Sequence, residues 1–287
     1  MLRASDGAPM TDRSQALRSF YAGIVVGGRH LRLRDAFAAV PREPFAGPGP
    51  WSLMGTVLDY VTTPDDDPVF IYQDVLIALD ASRGLNIGSP SAHATWLKAV
   101  DVQPGEAVLQ VGAGTGYFSA IIAELVGPEG HVHAYEIDAG LAARAAENLK
   151  DWPQVDVQAR SGIAEDLPRA DVVYVCAGIT QPSWSWIDAL LPGGRLLFPL
   201  QPVEGLGGML MIKRPRHGLH YSAKFLSRAR FIGCEGLQDP ESDTHLAQAF
   251  TRDWAQVKSF RIDEPQDASC WFAGDGWWLS TAAPDTE

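Results

Sequence analysis

Residues 106–126 read EAVLQVGAGTGYFSAIIAELV, and the rest of the chain can be placed relative to them. Ala107 to Val111 is a short apolar run with a β-branched bias, long enough for one buried strand. Gly112, Gly114 and Gly116 interrupt it. Phe118, Ile121, Ile122, Leu125 and Val126 then recur at i, i+3, i+4, i+7 and i+8, which is one face of a helix. A strand that turns through glycines into a helix lets a ligand approach bare backbone at the helix N-terminus, where free N–H groups favour a carboxylate or phosphate.

The glycine spacing narrows the ligand. A dinucleotide fingerprint, G-x-G-x-x-G, requires its third glycine at position 117, which is Tyr117 here. The pattern present, G-x-G-x-G, resembles motif I of S-adenosylmethionine (SAM) methyltransferases. That resemblance implies that Gly112, Ala113, Gly114, Thr115, Gly116 and Tyr117 border the cofactor, although an aromatic at 117 serves helix packing equally well. Twenty residues past Gly116, a second apolar run (HVHAYEI, 131–137) carries Glu136 near its end. A carboxylate at the tip of a second strand can accept both ribose hydroxyls, with Ile137 beside it; the competing role for Glu136 is an ordinary solvated strand end.

The 287 residues are 46% hydrophobic and 20% charged, a globular composition for one large domain with additions or two small ones. No run approaches the ~20 apolar residues of a membrane span. Residues 1–15 are polar and lack an apolar signal core, so a frayed end and a cytoplasmic protein are expected. Cys176, Cys234 and Cys270 are too scattered for a disulfide framework or a C-x-x-C metal site, and no metal is expected. The net charge of −12 argues against a nucleic-acid surface, since such affinity rests on cations facing phosphates. A homodimer is compatible with the sequence.

Taken in order, residues 14–39 carry a helical signal with Leu17, Phe20, Tyr21 and Ile24 on one face, and a break at Gly27-Gly28. Residues 63–68 are loop, 69–72 read as a short strand, and 80–90 as irregular. Ser89-Pro90 reads as an N-cap and first turn of a helix over 91–100. Beyond Glu136, helices at 139–149 and 184–191 alternate with strands at 155–159, 171–175, 195–200 and 208–213. This rhythm predicts an α/β fold, a doubly wound Rossmann-like sheet with ligands at the carboxyl ends of its strands. N-terminal helices and a substrate loop (1–100) precede the SAM-binding core (101–216), and a C-terminal strand with a Trp-rich extension (217–287) follows. In that extension, a helix over 243–256 and a hairpin over 270–280 are expected. Trp271, Trp277 and Trp278 are expected to pack it onto the core, with an aromatic pocket or partner surface as alternatives.

With these elements in place, the chain resembles the protein-L-isoaspartate O-methyltransferase family over roughly residues 18–234. Val40-Pro41-Arg42-Glu43-Pro44-Phe45 resembles the family's V-P-R-E-x-F, and Tyr72-Gln73-Asp74 its Y-x-D. Residues 108–117 resemble its motif I, Glu136 its ribose-binding acid, and residues 171–200 its D-x-I-x-V…PGGRLVxPV block. The departures lie in the acceptor loop. The family's G-Q-T-I-S-x-P, whose serine contacts the isoaspartyl substrate, is here Gly84-Leu85-Asn86-Ile87-Gly88-Ser89-Pro90. Gln110 replaces an acid in motif I, and Arg160-Ser161-Gly162 replaces G-D-G on the adenine side, where Ser161, Gly162 and Ile163 are expected.

The resemblance implies a methyl acceptor bound near Asn86, Ser89 and His93, under Tyr72 and Asp74. Ser89 has an N-cap as its competing role, and a lone His93 has a structural one, although it is the best available base for an amine or hydroxyl acceptor. Cys176 and Ala177, with Gly178 and Ile179 after them, are expected at the pocket floor. An intact cofactor frame beside a rewritten acceptor loop and an added C-terminal segment gives the reading of carboxyl O-methylation of a peptide or small-molecule acceptor rather than isoaspartyl repair; a carboxylate nucleophile needs no base. True repair, and a SAM-binding protein without catalysis, are the competing functions.

Overall fold

A computed structural model describes residues 10–55 and 59–284. Helices α1 (Met10–Val26) and α2 (Leu31–Ala39) are followed by the short α3 (Glu43–Ala46). Two small antiparallel pairs come next, β1 (Ser52–Met54) with β2 (Tyr60–Thr62) and β3 (Ala78–Asp80) with β4 (Leu85–Asn86), and then α4 (Pro90–Val100). The main alternation runs β5 (Ala107–Val111), α5 (Tyr117–Val126), β6 (His131–Tyr135), α6 (Ala139–Asn148), β7 (Val155–Gln158), β8 (Ala170–Val175), α7 (Trp184–Ala189), β9 (Leu190–Leu200). It continues through β10 (Gly207–Lys213), β11 (Tyr221–Ala229), α8 (Pro240–Ala249), β12 (Ser259–Ile262), β13 (Cys270–Gly274) and β14 (Trp277–Ser280).

One sheet holds ten of these strands, in the order β13-β14-β12-β11-β10-β9-β8-β5-β6-β7. The β9-β8-β5-β6-β7 half is parallel, and every pairing from β9 outward to β13 is antiparallel. The chain leaves β5 toward β6 and β7 and returns to β8 on the other side of β5. That reversal opens a crevice at the carboxyl ends of β5 and β8, where α/β folds bind ligands.

Side chains alternate between two apolar layers. Val108, Val172, Tyr174 and Leu197 face the layer built with α1, α2, α4 and α5; Leu109, Val173, Leu196 and Phe198 face the layer closed by α7, α8 and the tail. Helix α5 is buried along all its residues except Glu124, which is why its sequence is apolar on nearly every side.

Several expectations change. The polar start lies partly outside the described residues, and from Met10 onward it is helix rather than a frayed end. On α1 the buried face is Tyr21, Ala22, Val25 and Val26, whereas Phe20 and Ile24 are exposed. The strand expected at 69–72 is a 3-10 turn, Pro68–Phe70, begun by Pro68 and capped by Asp67. The irregular 80–90 stretch contains the β3–β4 pair. Strand β9 starts at Leu190, before Pro192-Gly193-Gly194, with a register shift against β8 absorbing those residues. The helix expected over 243–256 ends at Ala249, and Asp253 caps a separate 3-10 turn, Trp254–Gln256. Trp271, Trp277 and Trp278 are all buried. Among the described residues no helix is long and apolar enough to cross a membrane.

Candidate active site

A cavity of about 920 Å³ occupies the crevice. One wall is the turn after β5. Gly112, Gly114 and Gly116 all have positive φ (78°, 60° and 93°), conformations that side-chain-bearing residues rarely adopt. A Cβ on Gly112 would lie 3.2 Å from the Cys176 carbonyl, so glycine also lets β5 and β8 approach at their ends.

Glu136, just beyond β6, closes this turn. Its carboxylate is buried; Oε2 accepts the Gly114 N–H at 2.7 Å and Oε1 the Asp138 N–H at 2.9 Å. Burial pushes its carboxyl upward, and the two N–H donors pull it back. Each oxygen retains acceptor capacity toward the cavity, which suits a vicinal diol. Ile137, half exposed, lies beside it, and Asp138 caps α6 through the Gly140 and Leu141 N–H groups.

Of the expected cofactor residues, Gly112, Ala113, Gly114, Thr115, Tyr117, Glu136, Ile137, Ser161, Gly162, Cys176 and Ala177 line the cavity. Gly116 and Ile163 do not. Gly116 serves packing, since a Cβ there would meet Leu149 Cδ1 at 2.7 Å. Ile163 donates its N–H to Ser161 Oγ at 3.1 Å, which leaves the Ser161 hydroxyl proton available to a ring nitrogen. Thr115 and Tyr117 turn their hydroxyls away, Thr115 to the Phe45 carbonyl and Tyr117 to Tyr21. Desolvation pushes the Cys176 thiol up to about 12, so it remains neutral. Gly178 and Ile179 donate their N–H groups to the carbonyls of Ile232 and Pro199, and so hold strands together rather than floor the pocket.

The acceptor-side candidates divide. Asn86, Ser89 and His93 line the cavity, and Tyr72 and Asp74 do not. Tyr72 donates to Glu43 and accepts the Arg42 N–H, bonds that pin the 42–43 turn. Asp74 accepts the Ser91 N–H at 2.9 Å and supports the start of α4. Ser89 is the N-cap of α4, as its competing role had it. Asn86 accepts the Gly88 N–H at 2.8 Å and donates to the Gly84 carbonyl, which shapes the loop.

His93 is structural. It is buried, stacks on Phe118 at 3.6 Å between centroids, and shares a hydrogen bond with Tyr174 Oη through Nδ1 at 2.9 Å. Burial lowers its pKa to about 3. In the unfolded chain it protonates near 6.5, so between about 6.5 and 3 the unfolded state binds a proton that the folded state excludes, and stability drops as the pH is lowered through that window. Urea midpoints at pH 7 and pH 5 should show this decline, and His93→Phe should flatten part of it; an unchanged slope would place the acid sensitivity elsewhere.

Residues not foreseen complete the walls. Arg83, on the 3-10 turn between β3 and β4, reaches Asp138 at 2.8 Å, while Leu79 lies over the Gly114 backbone. The end of β11 and the segment after it, residues 228–235, form the side facing the 84–89 loop; there Phe231 packs on Trp96 at 5.6 Å. Asp138 was legible as an N-cap before the helix it starts; a loop arginine and a segment after an antiparallel strand carry no such signal.

Comparison with known proteins agrees with this geometry. The family model "Protein-L-isoaspartate(D-aspartate) O-methyltransferase (PCMT)" matches residues 58–237. A protein-L-isoaspartate O-methyltransferase of Methanopyrus kandleri is 33% identical over 226 residues, 75% of this chain and 89% of that one. Protein-L-isoaspartate O-methyltransferase 2 of Anaeromyxobacter sp. is 30% identical over 234 residues, 80% of this chain and 85% of that one. Among solved structures, a protein-L-isoaspartate O-methyltransferase superposes with a TM-score of 0.63 at 18% identity, covering 95% of this chain and 88% of that chain. A Plasmodium falciparum structure described as a putative member, in complex with S-adenosyl-L-homocysteine, gives 0.59 at 17% identity, covering 77% of this chain and 98% of that chain. With the family match extending from the β1–β2 region to the segment that closes the cavity, the chain belongs to the protein-L-isoaspartate O-methyltransferase family.

Proposed function

We propose that this chain is a SAM-dependent methyltransferase that esterifies a carboxylate on a peptide or small metabolite, with an acceptor pocket rebuilt relative to isoaspartyl repair. SAM, when bound, supplies an electrophilic methyl group on sulfur. The positive-φ turn at 112–116, the Glu136 carboxylate and Ser161 fit its nucleoside, since they present backbone N–H groups, an acceptor pair and a hydroxyl on one cavity.

What the protein must add is placement. An acceptor oxygen held about 3 Å from the methyl carbon, in line with the bond to sulfur, gains up to ~7–11 kcal/mol from orientation alone. A carboxylate acceptor would take the methyl group on an oxygen, leaving the electron pair of the broken C–S bond on sulfur, and would release no proton. A base is therefore unnecessary, in keeping with a His93 that burial keeps neutral.

The observation that carries the rebuilt acceptor pocket is Gly88, where the family has its substrate serine. Its φ is +90°, and a Cβ there would lie 2.7 Å from His93 Nε2. Gly88→Ser is expected to lower stability by about 1–2 kcal/mol and not to create turnover on an isoaspartyl peptide. Urea midpoints and a peptide assay check this; a stable variant with new activity would show that the loop accepts the serine. True repair remains a second reading, supported by the names of the relatives and by Ser89 at the cavity wall. Labelled SAM with cell extract and isoaspartyl peptides separates the two. Alkali-labile label in acceptors other than isoaspartyl peptides is the expected result, efficient peptide turnover favours repair, and base-stable label would exclude an ester.

A further inference from the structure

The cations that line the cavity, among the described residues, are Arg83, Arg228 and Arg230 beside the neutral His93. Arg83 is committed to Asp138. Arg228 and Arg230 stand two residues apart at the end of β11, both exposed, on the wall facing the 84–89 loop.

Arg228 is held in place by the C-terminal extension. Its guanidinium lies 5.4 Å from the Phe250 ring centroid and 5.5 Å from that of Trp254, and it donates to the Phe250 carbonyl at 3.5 Å. Phe250 in turn packs against Trp271 and Phe225, each at 5.4 Å. The aromatic cluster of the extension is thus a seat for a cation at the cavity rim. Arg230 makes no hydrogen bond or ion pair among the described residues.

The acids of the same cavity are Glu136, Asp138 and Glu235. Glu136 accepts two backbone N–H groups and Asp138 is engaged with Arg83 and the α6 cap, which leaves Glu235 as the one uncommitted carboxylate. The chain as a whole carries −12, a field that repels a polyanionic acceptor, whereas this cavity's lining balances three arginines against three carboxylates, so its mouth is a local relief of that field in which Arg228 and Arg230 have no carboxylate partner.

We infer that Arg228 and Arg230 form a clamp that binds a second anionic group of the acceptor, so that the preferred acceptor is a dicarboxylate, esterified at one carboxylate and held by the other. This rests on the carboxylate-methylation reading above and adds the substrate class to it. Planar guanidiniums suit the task, because they present paired donors to a carboxylate.

The test is calorimetric binding to protein saturated with S-adenosylhomocysteine. The probes are glutarate and N-acetyl-isoaspartylglycine, each compared with the analogue in which one carboxylate is amidated. Each dianion should bind roughly tenfold tighter than its amidated partner, as expected for a charge-assisted hydrogen bond gained. The two probes separate a small metabolite from a peptide source by which one shows the larger preference. Arg230→Gln should erase most of that preference, Arg228→Gln should reduce it, and Arg228→Lys should restore part of it. Lys224→Gln, which removes the same charge from β11 outside the cavity, should leave it intact. Absence of a preference, including failure of both dianions to bind, or a preference that survives Arg230→Gln, overturns the clamp. A preserved preference without alkali-labile methyl transfer would instead count against carboxylate methylation and leave the anion site standing.

Discussion

Glu136→Ala is expected to weaken binding of S-adenosylhomocysteine by about 1–3 kcal/mol, roughly tenfold to a hundredfold in Kd. The carboxylate has two tasks at one position. It accepts the Gly114 N–H at 2.7 Å, which fixes the glycine turn, and its remaining lone pairs face the cavity where ribose hydroxyls would lie. Alanine removes both, and leaves the Gly114 and Asp138 N–H groups without their acceptor. Glu136→Gln separates the two tasks. It keeps one carbonyl oxygen for a backbone N–H but loses the charge and one acceptor, so its affinity should fall between wild type and alanine. Isothermal titration reads this directly, and an unchanged Kd in Glu136→Ala would remove the ribose from this position.

Arg42→Ala is expected to cost about 3–5 kcal/mol of stability, enough to lower the urea midpoint sharply. Arg42 is fully buried in the 42–45 turn, and its guanidinium donates to the carbonyls of Ile71, Gln73 and Val75. The cation also lies 5.2 Å from the Tyr21 ring centroid and 5.4 Å from that of Tyr117. It therefore ties the 71–75 segment to α1 and to the first residue of α5, and Asp74 within that segment supports the start of α4. Alanine would strand three carbonyls and leave a void between rings. Arg42→Lys keeps a cation but reaches fewer carbonyls, and should recover only part of the loss. Near-wild-type stability in Arg42→Ala would mean that water or neighbouring donors satisfy those carbonyls.

The site was legible in the sequence where local chemistry dictated it. Three glycines in five residues admit positive φ, and the apolar run before them and helical stripe after them leave one placement for β5 and α5. Glu136 followed because a carboxylate at a second strand tip can accept a pair of ribose hydroxyls; that it also accepts the Gly114 N–H came only from the structure. Elsewhere the pattern underdetermined the outcome. Helix α1 has apolar residues on two faces, and packing against α2 and α4 selected Tyr21 and Val25 over Phe20 and Ile24. Pro192-Gly193-Gly194 reads as a break, but the strand passes through it because a register shift against β8 tolerates the irregularity. Tyr72 and Asp74 have the residue types of an active site and are spent on turns and a helix start. Arg228 was invisible because its place depends on an aromatic seat assembled from residues 225, 250, 254 and 271, which no local window spans.

The most direct measurement is titration of the purified chain with S-adenosylhomocysteine, with NAD as the competing ligand, followed by structure determination of the complex. One equivalent should bind, with its ribose on Glu136 and its amino-acid portion toward the 112–115 turn, and NAD should not displace it. A crevice that stays empty at saturating nucleoside, or one that takes the dinucleotide instead, would contradict the assignment of the cavity.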